Sequence, residues 1–479
     1  MENQLFDIGM IGMGVMGRNL LLNMADHGFK VLGQNKSAEK IAALEADATP
    51  GTVVKGVTSL TEFIKMLEVP RRIMLLVPAG KPVDEVIETL IPLLEKGDII
   101  IDAGNSYYKD TIRRDAYLRD KGLRFLGVGV SGGEEGARTG PSIMPGGDEN
   151  AYHYLQPLLE AIAAKVNGVP CVGYLGKHGA GHFVKMVHNG IEYGIMQMIS
   201  EAYDLLHQGM GLNNDELADL FTKWDKTDMT SYLIEITSHI FPFNDEKTGN
   251  RLVDMILDKA GSKGTGKWTS QEALDLAVPI PTIDMASTMR NLSSFKDERV
   301  SAAQLYKSGK KKIETDRETF INQVHDSLYF ATLISYVQGF AMLQKASKTL
   351  AMEIPMPKVV NVWRGGCIIR STMLDIFTQA FEQDPSRENL LLDSNIASIL
   401  QSKADSLRAI VSVSALSGYA SAALMSSLSY YDAYLSERLP TNLLQAQRDY
   451  FGAHTYQRVD DPTGPFVHTE WMVNKEGNA

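Results

Sequence analysis

The feature that most constrains this 479-residue chain is a run of three glycines close to its start. Gly12-Met13-Gly14-Val15-Met16-Gly17 follows the apolar stretch Leu5–Ile11 and opens a segment of helical spacing, 17–27. A strand, a G-x-G-x-x-G turn and a helix make the first half of a βαβ unit. Gly12 allows the tight turn, Gly14 lets backbone approach a pyrophosphate, and Gly17 lets helix and strand pack closely. The helix N-terminus then presents free N–H groups and partial positive charge to phosphates. The expectation is a parallel sheet that binds a dinucleotide.

The rest of the first third agrees. Apolar runs at Lys30–Gly33, Arg72–Val77, Asp98–Ala103 and Arg124–Val130 alternate with helical segments such as Pro82–Leu94. Strands alternating with helices imply a mainly parallel, Rossmann-type α/β domain, placed at residues 1–178. From Gly179 the texture becomes Ala-, Leu-, Met- and Gln-rich with long helical patterns, so 179–438 is predicted to be all-helical. From Leu439 onward Pro440, Gly452, Pro462, Gly464 and Pro465 mark an irregular tail, 439–479, which needs something to pack against.

Composition enters mainly to exclude. The net charge of −11 argues against a nucleic-acid or anionic-membrane footprint. Two cysteines, Cys171 and Cys367, exclude a disulfide scaffold and fit a reducing, cytoplasmic setting. No secretory signal is visible, and the uncharged stretch Ala409–Tyr431 carries too many serines for a membrane span. No His, Cys, Asp or Glu spacing suggests a metal.

The end of the second strand selects the cofactor. It reads Gln34-Asn35-Lys36-Ser37, with no acid before Glu39. An acid there would hold a ribose 2′-OH, whereas Lys36, with donors on Asn35 and Ser37, favours the 2′-phosphate of NADP. Farther on, Lys185, His188, Asn189 and Glu192 stand at i, i+3, i+4 and i+7, on one face of a helix whose other residues are apolar. Buried there, the lysine loses its proton readily and acts as a base, while the glutamate keeps its proton and acts as an acid.

The blocks GMGVMG, SGGEEGARTGPSIMPGG, GAGHFVKMVHNGIEYG, KGTGKWTS, LSSFKDERV, WRGGCIIRS and QAQRDYFGAHTY occur in that order. The chain resembles the long, decarboxylating 6-phosphogluconate dehydrogenases over nearly its whole length. The resemblance implies oxidation of 6-phosphogluconate at C3, loss of CO2 from the 3-keto acid, and protonation of the resulting enediol to ribulose 5-phosphate, with NADP as hydride acceptor and no metal. It makes Lys185 the general base and Glu192 the acid that protonates the enediol carbon. It places Ser131, Gly132 and Gly133 near the substrate carboxylate, and Asn105, His188 and Asn189 near the hydroxyls and nicotinamide. Tyr193, Lys263, Thr265, Arg290 and Arg448 become a phosphate clamp, with His454 a further contact. The cofactor path runs past Val77, Pro78, Ala79 and Asn105. The resemblance also implies an obligate homodimer in which the tail carries Arg448 and His454 into the neighbour's site.

Two positions depart from the family's habit: Lys36 often stands as Arg there, and Pro78 as Lys. Both weaken the selection of NADP over NAD, so an NAD-preferring version is the alternative. A short β-hydroxyacid dehydrogenase would lack the Lys263, Arg290 and Arg448 cluster. A catalytically silent NADP sensor would lack Lys185 or Glu192.

Overall fold

The computed structural model describes residues 5–471 except 263 and 308. Its first part is a seven-stranded sheet: β1 (Ile8–Ile11), β2 (Val31–Gln34), β3 (Val54–Val57), β4 (Arg72–Leu75), β5 (Ile99–Asp102), β6 (Arg124–Ser131) and β7 (Ser142–Gly147). They lie in the order β3-β2-β1-β4-β5-β6-β7. The first six are parallel, and β7 turns back antiparallel to β6. The chain leaves β1 toward β2 on one side, and β4 continues on the other. That reversal opens a crevice above the carboxyl ends of β1 and β4, where such sheets bind their ligands.

Every residue of β1, β2 and β5 is buried, as expected for parallel strands covered by helices on both faces. One apolar layer joins Met10, Met74 and Ile101 to Leu20, Leu21 and Met24 of the helix Val15–Asp26. The opposite layer joins Leu32, Ile73 and Ile100 to Phe63, Val83, Ile87 and Leu118. The five expected strands are all present. β3 and β7 are additional: β3 is an edge strand with only Val57 buried, and β7 hides its character behind a proline and two glycines.

The helical part is built around the 25-residue helix Ala180–Asp204, buried at every residue from Ala180 through Ile191. It packs against β6 and β7 at its start. Farther along, it packs against the helices Thr265–Asp275, Pro281–Ser293 and Arg317–Thr349. A helix that is apolar nearly all round belongs inside a helical layer, and its few polar residues then need a reason. The contact with the sheet is close. A Cβ on Gly129 of β6 would lie 2.4 Å from the Lys185 Cβ. No helix among the described residues is long and apolar enough to cross a membrane.

By packing, residues up to Ser427 form one compact unit and those from Leu428 a second. The second unit contains the helix Thr441–Gly452 and a short return marked by the Tyr456–Val467 bridge. Its organiser is the buried carboxylate of Asp449. This accepts from Thr455 N and His468 Nδ1 at 2.9 Å, Thr469 N at 3.1 Å and Trp471 Nε1 at 2.7 Å.

Candidate active site

The carboxyl edge of the sheet gathers the cofactor positions. Each glycine of the first turn has a distinct constraint. Gly12 has φ +107°, and a Cβ there would sit 2.4 Å from Leu76 O. A Cβ on Gly17 would lie 2.0 Å from Gly12 O, which no side chain tolerates. Gly14 alone faces open space, with nothing within 4 Å of its would-be Cβ. It is also the N-cap of Val15–Asp26, which has no side-chain cap and no acid in its first turn. An uncapped helix start beside open space fits a pyrophosphate. Met13 itself is core, buried against Gly33, while Val15 is exposed.

At the end of β2, Asn35 Oδ1 accepts from Ser37 N at 2.9 Å, and Ser37 Oγ caps the next helix at Lys40 N. Lys36 between them is exposed. After β4, Val77 is half-buried and Pro78 and Ala79 are exposed; after β5, Asn105 is exposed. A dinucleotide carrying a 2′-phosphate fits these groups: open backbone at Gly14, a cation at Lys36, and two loops after β4 and β5.

The catalytic candidates meet one strand over. Lys185 Nζ donates to Asn189 Oδ1 at 2.7 Å and lies 3.3 Å from His188 Nδ1. His188 Nε2 is 3.3 Å from Ser131 Oγ at the end of β6, and its Nδ1 is 3.7 Å from Glu192 Oε2. So Ser131, Lys185, His188, Asn189 and Glu192 form one polar cluster. Lys185 is 7% exposed, and burial lowers its pKa against the opposing pull of Glu192 and Cys367. Burial raises the pKa of Glu192, against Lys185 and Arg290. His188 is driven well below the usual histidine range by burial and then by Lys185, so it stays neutral. These directions suit an amine that acts as a base and a carboxyl that acts as an acid. Gly132 (φ +130°) and Gly133 (φ +65°) continue from Ser131 as a turn against Gly366.

Two turns along, the Arg290 guanidinium lies 3.6 Å over the Tyr193 ring. The same ring packs where a Cβ on Gly266 would meet it at 2.6 Å, in the first turn of the helix Thr265–Asp275. This brings Tyr193, Thr265 and Arg290 to one place, at a helix start with no side-chain cap. Lys263 lies outside the described residues. Arg448 and His454 belong to the second unit and are exposed; Arg448 Nη1 donates to Gln445 Oε1 at 3.1 Å.

Sequence reasoning passed over a second polar cluster. Asp102, Ser106 and Arg114 are buried at the end of β5 and on the helix Tyr108–Asp120. Thr111 of that helix is 2.7 Å from His182 Nδ1, one turn before Lys185. Lys109 pairs with Glu272 at 2.9 Å, tying the same segment to the helix Thr265–Asp275. The Trp363 ring, which flanks His188 at 6.0 Å, was also missed. WRGGCIIRS marked its neighbourhood without giving it a role.

Comparison with known proteins gives a consistent result. Residues 7–176 match the model of the NAD binding domain of 6-phosphogluconate dehydrogenase, and 181–471 that of its C-terminal domain. The chain is 50% identical over 466 residues to the NADP(+)-dependent, decarboxylating 6-phosphogluconate dehydrogenase of Bacillus subtilis, covering 97% of this chain and 99% of that one. It is 48% identical to the decarboxylating enzyme of Mus musculus, covering 97% and 96%. The solved structure of the Plasmodium falciparum 6-phosphogluconate dehydrogenase superposes with a TM-score of 0.94 at 42% identity, covering 97% of this chain and all of that one.

Proposed function

The chain belongs to the 6-phosphogluconate dehydrogenase family, and on that premise we propose how its residues divide the work. The reaction is the NADP-dependent oxidative decarboxylation of 6-phosphogluconate to ribulose 5-phosphate. The observation that carries the assignment of roles is the pairing of a desolvated Lys185 with a desolvated Glu192 on one buried helix face.

Lys185, its pKa lowered by burial, takes the proton of the substrate 3-hydroxyl. Asn189 and His188 hold its Nζ on the reacting side. Bound NADP+ supplies the hydride acceptor. The 3-keto acid then loses CO2, its ketone drawing the electron pair, and the Lys185 ammonium returns its proton to that oxygen. Glu192 gives its proton to the enediol carbon while the Lys185 amine takes the enol O–H proton back, which yields the ketose. Ser131, Gly132 and Gly133 receive the carboxylate end. Asn105, His188 and Asn189 serve the hydroxyls and nicotinamide. Tyr193, Lys263, Thr265 and Arg290 hold the phosphate, for which the guanidinium fork is suited. Gly12, Met13, Gly14, Val15, Met16 and Gly17 cradle the pyrophosphate. Asn35, Lys36 and Ser37 take the 2′-phosphate, and Val77, Pro78 and Ala79 line the path. NADP is preferred over NAD, by a narrower margin than an arginine at position 36 would give.

The segments 1–178, 179–438 and 439–479 act as the cofactor domain, the substrate and dimerisation domain, and a tail. The tail completes the site of a second copy through Arg448 and His454, in a cytoplasmic homodimer. Exposed apolar side chains support this reading. Leu443, Tyr450, Phe451 and Phe466 stand out in the second unit, and Ile256, Leu257, Phe295, Leu305 and Tyr306 in the first. That is more than scattered surface residues require.

NADPH and CO2 should appear in equal amounts with 6-phosphogluconate, and Lys185→Ala should remove both. Activity surviving that change would refute the base. Truncation after Leu439 should abolish turnover while NADP+ still binds. A fully active monomeric truncation would rule out the shared site.

A further inference from the structure

A buried guanidinium underlies the cofactor crevice. Arg114 is 1% exposed. Its Nε donates to Asp84 Oδ1 at 2.8 Å, and its Nη2 to Gly80 O at 2.9 Å. Its Nη1 reaches Asp102 Oδ2 at 3.2 Å and Ser106 Oγ at 3.3 Å. Ser106 Oγ also donates to Asp102 Oδ2 at 2.6 Å, and Gly104 N to Asp102 Oδ1 at 3.1 Å. These acceptors come from two different crossovers. Gly80 and Asp84 follow β4, whereas Asp102 and Ser106 end and follow β5. The two strands are neighbours, with Leu75 opposite Asp102. Their loops, 76–80 and 103–106, border the crevice, and the first is pressed against the Gly12 turn through Leu76.

From this geometry we infer that Arg114 is a positioning residue for the nicotinamide half of the cofactor: it fixes the separation of the loops after β4 and β5. The inference rests on the reading of this edge as the cofactor crevice. A single rigid fork addresses both loops at once. An ammonium is a point charge and cannot reach Gly80 O, Asp84 and Asp102 in the same geometry. If the cluster served only to neutralise buried charge, lysine would substitute. The clamp lies on the β4–β5 side of the sheet, away from β2, where the 2′-phosphate would sit. It therefore acts on NADP+ and NAD+ alike.

The test uses the full-length enzyme with Arg114→Lys, Arg114→Gln and Ser106→Ala. The readouts are KM for NADP+ and NAD+, kcat, and the dissociation constant of 6-phosphogluconate by calorimetry. In Arg114→Lys the KM for both cofactors should rise on the order of tenfold, and kcat should fall as the ring loses its alignment. Affinity for 6-phosphogluconate should fall less, because Asn105 alone of these two loops serves the substrate, and the NADP+/NAD+ preference should stay unchanged. Arg114→Gln should go further in the same direction. Equal weakening of cofactor and substrate, or full recovery in Arg114→Lys, would overturn the proposal. If neither Arg114 variant folds, Ser106→Ala decides, because it leaves the bonds to Asp84 and Gly80 in place. A rise in cofactor KM alone supports the clamp, and an unchanged KM refutes it. Failure of the unaltered enzyme to bind NADP+ would instead refute the crevice reading itself.

Discussion

Lys185 and Arg114 are both cations buried within the first unit, and the protein treats them in opposite ways. Arg114 is ringed by Asp84, Asp102 and the Gly80 carbonyl. Lys185 has an amide oxygen and a neutral imidazole beside it, and makes no ion pair with a carboxylate among the described residues. Burial penalises the charged form of both. Around Arg114 two carboxylates and a carbonyl supply the counter-charge, and the paired guanidinium holds structure. For Lys185 the penalty prevails and its pKa falls, the direction the proposed base requires. The difference teaches that the supply of counter-charge, rather than burial itself, separates a cation held as structure from one whose pKa falls, as the role proposed for Lys185 needs.

Neutral replacements of similar length give the largest effects and break the comparison most directly. Lys185→Met should lower kcat by about 10²- to 10⁴-fold, the usual yield of a positioned general base. Urea stability should stay level or rise, because an unpaired amine leaves the interior. Arg114→Met should do the reverse in stability. It strands Asp102, itself 1% exposed, beside an apolar group, at a cost of about 3–5 kcal/mol. A strongly destabilised Lys185→Met together with a neutral Arg114→Met would invert the argument.

The next effect sharpens the Lys185 side through pH. Its folded pKa lies below its unfolded one. Between those two values the unfolded chain binds a proton that the folded chain does not, so stability should rise with pH across that window and fall toward its acid end. The proposed base must lack the same proton, so log kcat/KM should climb with pH as Lys185 deprotonates. Glu192 behaves oppositely: burial raises its pKa, and activity should fall once the proton of the proposed acid is lost. Glu192→Gln should cost on the order of 10²-fold in kcat and erase the alkaline limb while keeping the acid limb. An alkaline limb that survives in Glu192→Gln would assign it to another group.

These two cations were not equally legible in the sequence. Lys185 and Glu192 could be read because a helix turns i, i+3, i+4 and i+7 to one side, and the apolar residues between them announce burial. Gly12, Gly14 and Gly17 could be read because each constraint is local to the turn. Arg114 could not. It follows Arg113, which is exposed and pairs with Asp84 at the surface, and nothing in Ile112-Arg113-Arg114-Asp115 says which arginine faces the sheet. Its partners lie 8 to 34 positions away and converge only when β4 and β5 pair. Asp449 was hidden in the same way, beside the flagged Arg448, because its donors arrive from residues 455 to 471. Local periodicity reveals which residues are buried together on one element. It does not reveal which charge will find a partner from another.

Lys36 extends the comparison to a third case, a cation that is exposed. Solvent screens its charge, so it offers a 2′-phosphate far less than a buried group would. Lys36→Ala should reduce kcat/KM for NADP+ by about fivefold, the upper end for one exposed charge pair, and leave NAD+ unaffected. The loss should shrink further at high ionic strength, because the interaction it removes is already screened there. Lys36→Arg should move the opposite way, since a planar fork can grip two phosphate oxygens where an ammonium offers a point charge. An equal loss for both cofactors in Lys36→Ala would mean that the lysine supports the helix start at Ser37, whose hydroxyl already caps Lys40 N, instead of selecting the phosphate. A selectivity that salt does not touch would place the phosphate deeper, among the backbone donors beyond β2. The exposed cation would then be a bystander.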